Sequence, residues 1–229
     1  MIKLGLILNF LFFSFASSKP QCLNLFESSY VHFISQDEVA NKKIRNAFKS
    51  VYRIYPKGGS GFFLKNGVFL TAGHNISEND KQYILVKGKK IYLKSSNLLF
   101  LNNRRSFDLA VFQFSELKSL RGLSLEVETP TRNSQISLTG FPFNKFSPLL
   151  NQGKFFKWSR EDKVLIFELK IPSFIGHSGG PVLDSEGHVI GLLFSGQDKK
   201  DVEFLSEVRS DAISSFIIYN VLKELGLGD

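Results

Sequence analysis

The six residues Gly176-His177-Ser178-Gly179-Gly180-Pro181 constrain this chain more than any other stretch. The apolar run Val164-Leu165-Ile166-Phe167-Glu168-Leu169 precedes them, and Val189-Ile190-Gly191-Leu192-Leu193-Phe194 follows. Glycine lacks a Cβ, so it takes backbone angles closed to other residues and lets other groups approach closely. A serine among glycines between two strands can project its hydroxyl while neighbouring N–H groups aim at one point. A serine hydroxyl alone is a weak nucleophile and needs a base. The reading therefore depends on a histidine and a carboxylate in comparable settings.

Both are present. Leu70-Thr71-Ala72-Gly73-His74 ends one apolar run, and Phe107-Asp108-Leu109-Ala110-Val111 opens another. The order His74, Asp108, Ser178 with these flanks resembles the trypsin/chymotrypsin-like serine endopeptidases. The spacings, 108 − 74 = 34 and 178 − 108 = 70, are similar to those of bacterial high-temperature-requirement proteases and glutamyl endopeptidases. The resemblance covers residues 51–225 and implies an all-β fold of two six-stranded antiparallel β-barrels with a C-terminal helix. By that analogy the first barrel is about 51–122, the second about 123–209 and the helix about 211–225, with the site in the cleft between barrels. It also implies roles: Ser178 as nucleophile, His74 as general base, Asp108 as its orienting carboxylate. The backbone N–H groups of Gly176 and Ser178 would form the oxyanion hole.

Two positions depart from the pattern. Digestive members carry an aspartate before the serine, which pairs with the ammonium freed by zymogen cleavage; here His177 stands there. Activity is therefore expected to need no salt bridge from a new N-terminus. Gly73 replaces the usual alanine before the histidine, one small residue for another, and little is expected to change. Pro172 occupies the position at which trypsin-like members hold an aspartate, which disfavours a basic P1 residue. Leu192-Leu193-Phe194-Ser195-Gly196 lacks the histidine of glutamyl-specific members. The pocket is thus expected to be apolar, walled by Phe174, Leu193 and Phe194. The backbone at Ser195 and Gly196 would pair with an extended substrate as an added strand.

The 229 residues are 43% hydrophobic, enough for one or two cores, and the single cysteine excludes an intramolecular disulfide. Packing must then carry the fold, and 24 phenylalanines supply large apolar areas. Nucleotide bias in the gene would also explain their number. The net charge of +8 raises a nucleic-acid or membrane-surface reading. Lys87-Gly88-Lys89-Lys90, Arg104-Arg105 and Lys199-Lys200 are scattered, however, and no basic helix or RNA-binding signature appears. The charge is read as a generally basic surface with no specific nucleic-acid partner. One cysteine and four scattered histidines give no zinc spacing, and neither metal nor cofactor is expected. His32 and His188 read as solvated or locally bonded residues, and His177 adjoins the serine on a turn where side chains diverge.

Residues 1–18 read as a secretory signal: Lys3, an apolar run from Leu4 to Phe15, then Ala16-Ser17-Ser18. The run falls short of the roughly 20 residues that span a bilayer. A secreted or periplasmic protein without a membrane span follows. Lys19-Pro20-Gln21 disfavours lipidation of Cys22, leaving a free thiol or an intermolecular bridge. Residues 19–50 are a lead-in, either a packing arm or a removable pro-segment. Ser35-Gln36-Asp37-Glu38 looks like a helix start, with Val39, Lys43 and Ala47 on successive turns. Lys65-Asn66-Gly67 and Asp184-Ser185-Glu186-Gly187 are hairpin signals. Ser210-Asp211 would cap a helix over 212–225, with Ile213, Phe216, Ile217, Val221 and Leu225 as its apolar stripe. Asn75-Ile76-Ser77 matches a glycosylation acceptor, read as unmodified because a glycan there would obstruct the cleft. The function expected is a secreted serine endopeptidase acting on proteins or peptides. The rival is a catalytically silent module on the same fold used for binding or adhesion. Oligomeric state is left open.

Overall fold

The computed structural model describes residues 33–77, 81–104, 107–162, 164–196 and 209–228. The signal expected at 1–18, His32 and Cys22 lie outside them. Short apolar runs separated by turn residues become antiparallel strands. Seven lie in the N-terminal half: β1 (Val51–Arg53), β2 (Ser60–Phe63), β3 (Val68–Thr71), β4 (Tyr83–Val86), β5 (Lys89–Tyr92), β6 (Leu98–Arg104) and β7 (Phe107–Gln113). Six follow: β8 (Gln135–Gly140), β9 (Leu149–Glu161), β10 (Val164–Lys170), β11 (Pro181–Leu183), β12 (Val189–Gly196) and β13 (Ser210–Ser214).

The last six strands close into a barrel in the order β10-β13-β12-β11-β8-β9. Ile136, Leu138, Phe155, Phe167, Leu169, Val182, Ile190 and Leu193 fill its interior. The N-terminal half differs from the expected second closed barrel. It is a five-stranded sheet, β1-β2-β3-β7-β6, beside a two-stranded sheet, β4-β5. The segment after β1 meets this hairpin through a bridge from Tyr55 to Tyr83, whose N–H···O distances are 2.9 and 3.0 Å. On the other side the chain leaves β5 through a 3-10 turn at Ser95–Asn97, and no ladder joins β5 to β6. Strand β5 carries Lys89 and Lys90 exposed, the kind of charged edge that resists pairing. A cavity of about 880 Å³ marks the unclosed seam, lined by Ile76, Gln82, Leu93, Leu98 and Phe112 among others. The half still has its own core, in which Ile54, Phe63, Phe69, Ile84, Phe112 and Phe114 are buried.

Both expected hairpin turns form. Asn66 (φ 62°) and Gly67 (φ 73°) are left-handed, which matches the twist between β2 and β3. In the β11–β12 turn Gly187 (φ 80°) reverses the chain, and the Asp184 carboxylate accepts from the N–H groups of Glu186 and His188, each at 2.9 Å.

The C-terminal helix starts later than its sequence pattern predicts. Residues 210–214 pair with β10 and β12 as β13, and that pairing closes the barrel. The helix α2 (Ser215–Glu224) begins after Ser214, whose hydroxyl accepts from Ile217 N at 3.4 Å. Its buried residues include Ile218, Val221 and Leu222, Ile213 belongs to the strand, and Phe216 is exposed. In the lead-in, α1 (Lys42–Ala47) is capped by Asn41, whose side-chain Oδ1 accepts from Lys43 N at 2.9 Å. Ile44 packs inward with Val39 and Ala47, while Lys43 is exposed and pairs with the Glu186 carboxylate. Asn41 donates to Ser185 O at 2.8 Å, and Ile34 bridges to Leu150 of β9. The described part of the lead-in thus packs onto the barrel. Among the described residues no helix is long and apolar enough to cross a membrane.

With no disulfide available, phenylalanines packed ring against ring at steep angles hold the first half together. The Phe69 ring lies 5.0 Å from Phe63 and 6.4 Å from Phe112, directly over Gly61. Phe69→Ala is expected to destabilise the protein by about 3–5 kcal/mol, read from the urea midpoint.

Candidate active site

The two halves meet at a buried polar joint. Ser60, at the start of β2, donates its N–H to Ser178 O at 2.8 Å and its hydroxyl to Gly176 O at 2.6 Å. The same hydroxyl accepts from Phe141 N at 3.0 Å. Thr71, at the end of β3, donates to Ser60 O at 2.7 Å. Asn75 donates to Thr71 Oγ1 at 3.0 Å and to Ser178 O at 2.8 Å. Gln82 clamps the same turn from β4's side, donating to Asn75 O at 2.5 Å and accepting from Ser77 N at 2.8 Å. All four side chains are buried. Polar groups withdrawn from water cost free energy unless bonded, and here the side chains bond mainly to backbone groups of the two halves.

This joint was not legible from the sequence. Ser60 and Thr71 sit inside apolar strands with no motif around them. Asn75 carries the glycosylation signature, yet it is 5% exposed and its amide is engaged in the joint, which removes it as an acceptor in the folded chain.

The joint also explains two glycines. A Cβ on Gly179 (φ +84°) would lie 2.1 Å from Ser60 O, and one on Gly176 (φ +98°) would lie 2.2 Å from Phe141 O. A side chain at Gly179 would force the halves apart, and one at Gly176 would push its turn off the residues that follow β8.

His74 lies in a 3-10 turn, Gly73–Asn75, just after β3. Asp108 is the second residue of β7, which pairs with β3. The Asp108 carboxylate accepts from His74 N at 2.8 Å through Oδ1, and its Oδ2 bonds His74 Nδ1. Asp108 is buried, whereas the His74 side chain is 44% exposed. A carboxylate on Nδ1 fixes the proton there and leaves Nε2 as the basic nitrogen. The expectation that Gly73 is equivalent to alanine does not hold. A Cβ there would lie 2.1 Å from Asn102 O and 3.0 Å from Asp108 Oδ1. Glycine is what lets the β6 backbone close over this turn.

Ser178 is half-buried on the turn after β10. Its hydrogen bonds run through its carbonyl; a bond from its hydroxyl to the His74 ring is not among those of the described residues. Gly179 N donates to Leu193 O at 2.7 Å and Leu193 N to Gly180 O at 3.0 Å, which fixes the turn to β12. Among the described residues the N–H groups of Gly176 and Ser178 have no acceptor. The residues expected to bind substrate sit nearby in different settings. Leu193 and Phe194 are buried, Leu193 inside the barrel and Phe194 in the main core, so neither walls an open pocket. Pro172 accepts from Asn151 Nδ2 at 2.6 Å through its carbonyl. Phe174 is half-buried between Phe33 and Phe143, at ring distances of 5.4 and 5.0 Å. Ser195 is half-buried and Gly196 ends β12. Among the described residues no three His, Cys, Asp or Glu side chains group as metal ligands.

His177 takes a role that sequence reasoning missed. It is fully buried, and burial lowers its pKa from 6.5 to about 3, so the ring is neutral. Phe174 N donates to Nδ1 at 3.0 Å, which puts the ring proton on Nε2. Phe33, from the lead-in, stacks over it at 6.2 Å. An apolar lid and a neutral imidazole thus replace the buried ion pair that an aspartate would make.

Two outcomes follow from this geometry. Unfolded His177 protonates below its ordinary value of 6.5 while the folded ring resists until about 3, so its stabilisation is complete above 6.5 and is lost as pH falls through that window. By pH 5 the loss is about 2 kcal/mol. Denaturation midpoints of the wild type should fall by that margin relative to His177→Phe. Gly73→Ala should lower kcat/KM on the order of 10²-fold by displacing the His74 turn, measured on a peptide substrate.

The sequence of residues 59–192, more than half of the chain, matches the trypsin-like peptidase domain family. No curated protein matches the sequence. Solved structures share the fold. The Rv3671c protease of M. tuberculosis in its active form is 16% identical, with a TM-score of 0.66 over 88% of this chain and 92% of its own. The HtrA-type protease AlgW with a tripeptide is 20% identical, with a TM-score of 0.67 over 80% of this chain and 62% of its own. The serine endoprotease of Yersinia pestis is 20% identical, with a TM-score of 0.64 over 81% of this chain and 65% of its own. The chain belongs to the trypsin-like peptidase domain family and is a serine endopeptidase.

Proposed function

We propose that this endopeptidase is secreted and cleaves through Ser178, His74 and Asp108. The observation that carries the proposal is the buried link between the two halves. The turn holding the His74–Asp108 pair is bonded, through Asn75, to the carbonyl of Ser178 itself. In the proposed reaction Ser178 Oγ attacks the scissile carbonyl and its proton passes to His74 Nε2. Asp108 keeps the Nδ1–H tautomer and stabilises the imidazolium as it forms. Negative charge developing on the carbonyl oxygen is met by the N–H groups of Gly176 and Ser178. Collapse expels the amine, which takes the proton back from His74. Water, deprotonated by the same imidazole, then releases the acyl group from Ser178.

The neutral, lidded His177 supports activity without a salt bridge from a new N-terminus. The apolar surroundings of Phe174 and the lack of a described carboxylate at Pro172 support a medium apolar P1 residue, with the backbone of Ser195 and Gly196 receiving the substrate as an added strand. Residues 1–18 would direct export.

Ser178→Ala tests the assignment. Its casein hydrolysis should fall by roughly 10⁴-fold or more with stability unchanged. Equal hydrolysis would remove Ser178 from the mechanism. A wild type that binds casein without cutting it would instead support a silent binding module. Profiling the wild type on a peptide library should give cleavage after medium apolar residues; dominance of Lys, Arg or Glu at P1 would contradict the pocket assignment.

A further inference from the structure

The turn that carries Gly176 and Ser178 is held in two ways. Ser178 O is fastened to the opposite half through Ser60 N and Asn75. The stretch before it closes on itself. His177 N donates to Phe174 O at 2.9 Å, while Phe174 N donates to His177 Nδ1 at 3.0 Å, so the imidazole completes a small ring of bonds around Ile175 and Gly176. Ile175 O in turn accepts from Phe143 N at 2.8 Å, and Gly176 O from Ser60 Oγ at 2.6 Å. The Nδ1 bond lasts only while the imidazole is neutral, because a protonated Nδ1 would set a second N–H against that of Phe174. Neutrality requires that water be kept away. The lead-in supplies part of that cover. The half-buried Phe33 places its ring 5.4 Å from Phe174, 6.2 Å from His177 and 6.3 Å from Phe143. Ile34, the next residue, is tied to Leu150 of β9 by two N–H···O bonds of 3.0 Å, which limits where Phe33 can lie. One ring therefore touches both residues that bracket Ile175 and Gly176, and also the residue whose N–H holds Ile175 O.

We propose that Phe33 is a positioning residue for the oxyanion hole, and that residues 33–50 are an activating arm of the enzyme rather than a removable pro-segment. This rests on the assignment of that hole to Gly176 N and Ser178 N, and adds what controls it. The two N–H groups flank His177 in the chain. A His177 ring that swings or takes up water would turn the peptide planes on either side of it and misdirect both donors. Such donors act on charge that develops in the transition state, not on the bound substrate. Loss of the Phe33 ring should therefore lower kcat and leave KM in place. The sense of control is opposite to activation by cutting: cleavage of the arm beyond Phe33 would switch the enzyme off.

Point variants of the full-length protein test this on a soluble peptide substrate, assayed below each variant's unfolding midpoint. Phe33→Ala should lower kcat on the order of 10²-fold, with KM within about twofold of wild type. Phe33→Leu keeps apolar cover without the ring; its kcat should fall about fivefold at the same KM, and it carries the test if Phe33→Ala does not fold. An unchanged kcat in the assayed variant would overturn the proposal. A raised KM at unchanged kcat would also overturn it and make the ring part of the substrate pocket. Ser178→Ala in the same assay separates this inference from the reaction it rests on. An inactive Ser178→Ala beside a fully active Phe33→Ala would overturn the role of the arm alone. An active Ser178→Ala would overturn the nucleophile assignment, and the oxyanion hole with it.

Discussion

The structure depends on one buried carbonyl. Ser178 O accepts from Ser60 N and from Asn75 Nδ2, so the turn of the closed barrel is held by residues of the opposite half. Ser60 and Thr71 extend the bonding on either side, and Gly179 admits the close approach. A buried network of this kind is favourable only when its donors and acceptors find partners, which makes the relative placement of the halves nearly all-or-none. His74 and Asp108 inherit that placement because both lie on strand ends of the half that supplies Ser60 and Asn75.

The two halves solve the edge problem differently. The C-terminal barrel removes its edges by closure, and β13 is the strand that completes it. The N-terminal sheet stays open between β5 and β6, where charged strand surfaces and a 3-10 turn take the place of pairing. That openness is tolerated because interlocking phenylalanines fill its core and Gln82, at the rim of the seam, holds the turn that carries Asn75. In a chain with a single cysteine, aromatic packing is the available substitute for covalent cross-links.

Local patterns made much of the fold legible. The turn at 176–181, the hairpins at Asn66-Gly67 and Gly187, and the strand pattern each reflect interactions between near neighbours. What escaped the sequence was long-range. Residues 210–214 read as the start of a helix because Ile213 falls on its stripe, but they pair with the distant strand β10 on one side and with β12 on the other. Val39, Lys43 and Ala47 fall on successive turns of the sequence, yet Ile44 and not Lys43 packs inward with Val39 and Ala47, because the surface α1 meets is set by distant residues. Leu193 and Phe194 read as pocket walls but point into cores. His74 and Asp108 were identified by their flanks and are hydrogen-bonded to each other, whereas Ser60, Thr71 and Gln82 have no flanking motif and gain meaning only from what they touch.

The central claim is that the joint presents the Ser178 hydroxyl to the basic nitrogen of His74. A crystal structure of the protein after treatment with a fluorophosphonate tests it most directly. The account predicts phosphorus bonded to Ser178 Oγ, one phosphonyl oxygen facing the N–H groups of Gly176 and Ser178, and His74 Nε2 within hydrogen-bond reach. An unmodified Ser178, or a phosphonyl group on another residue, would contradict it.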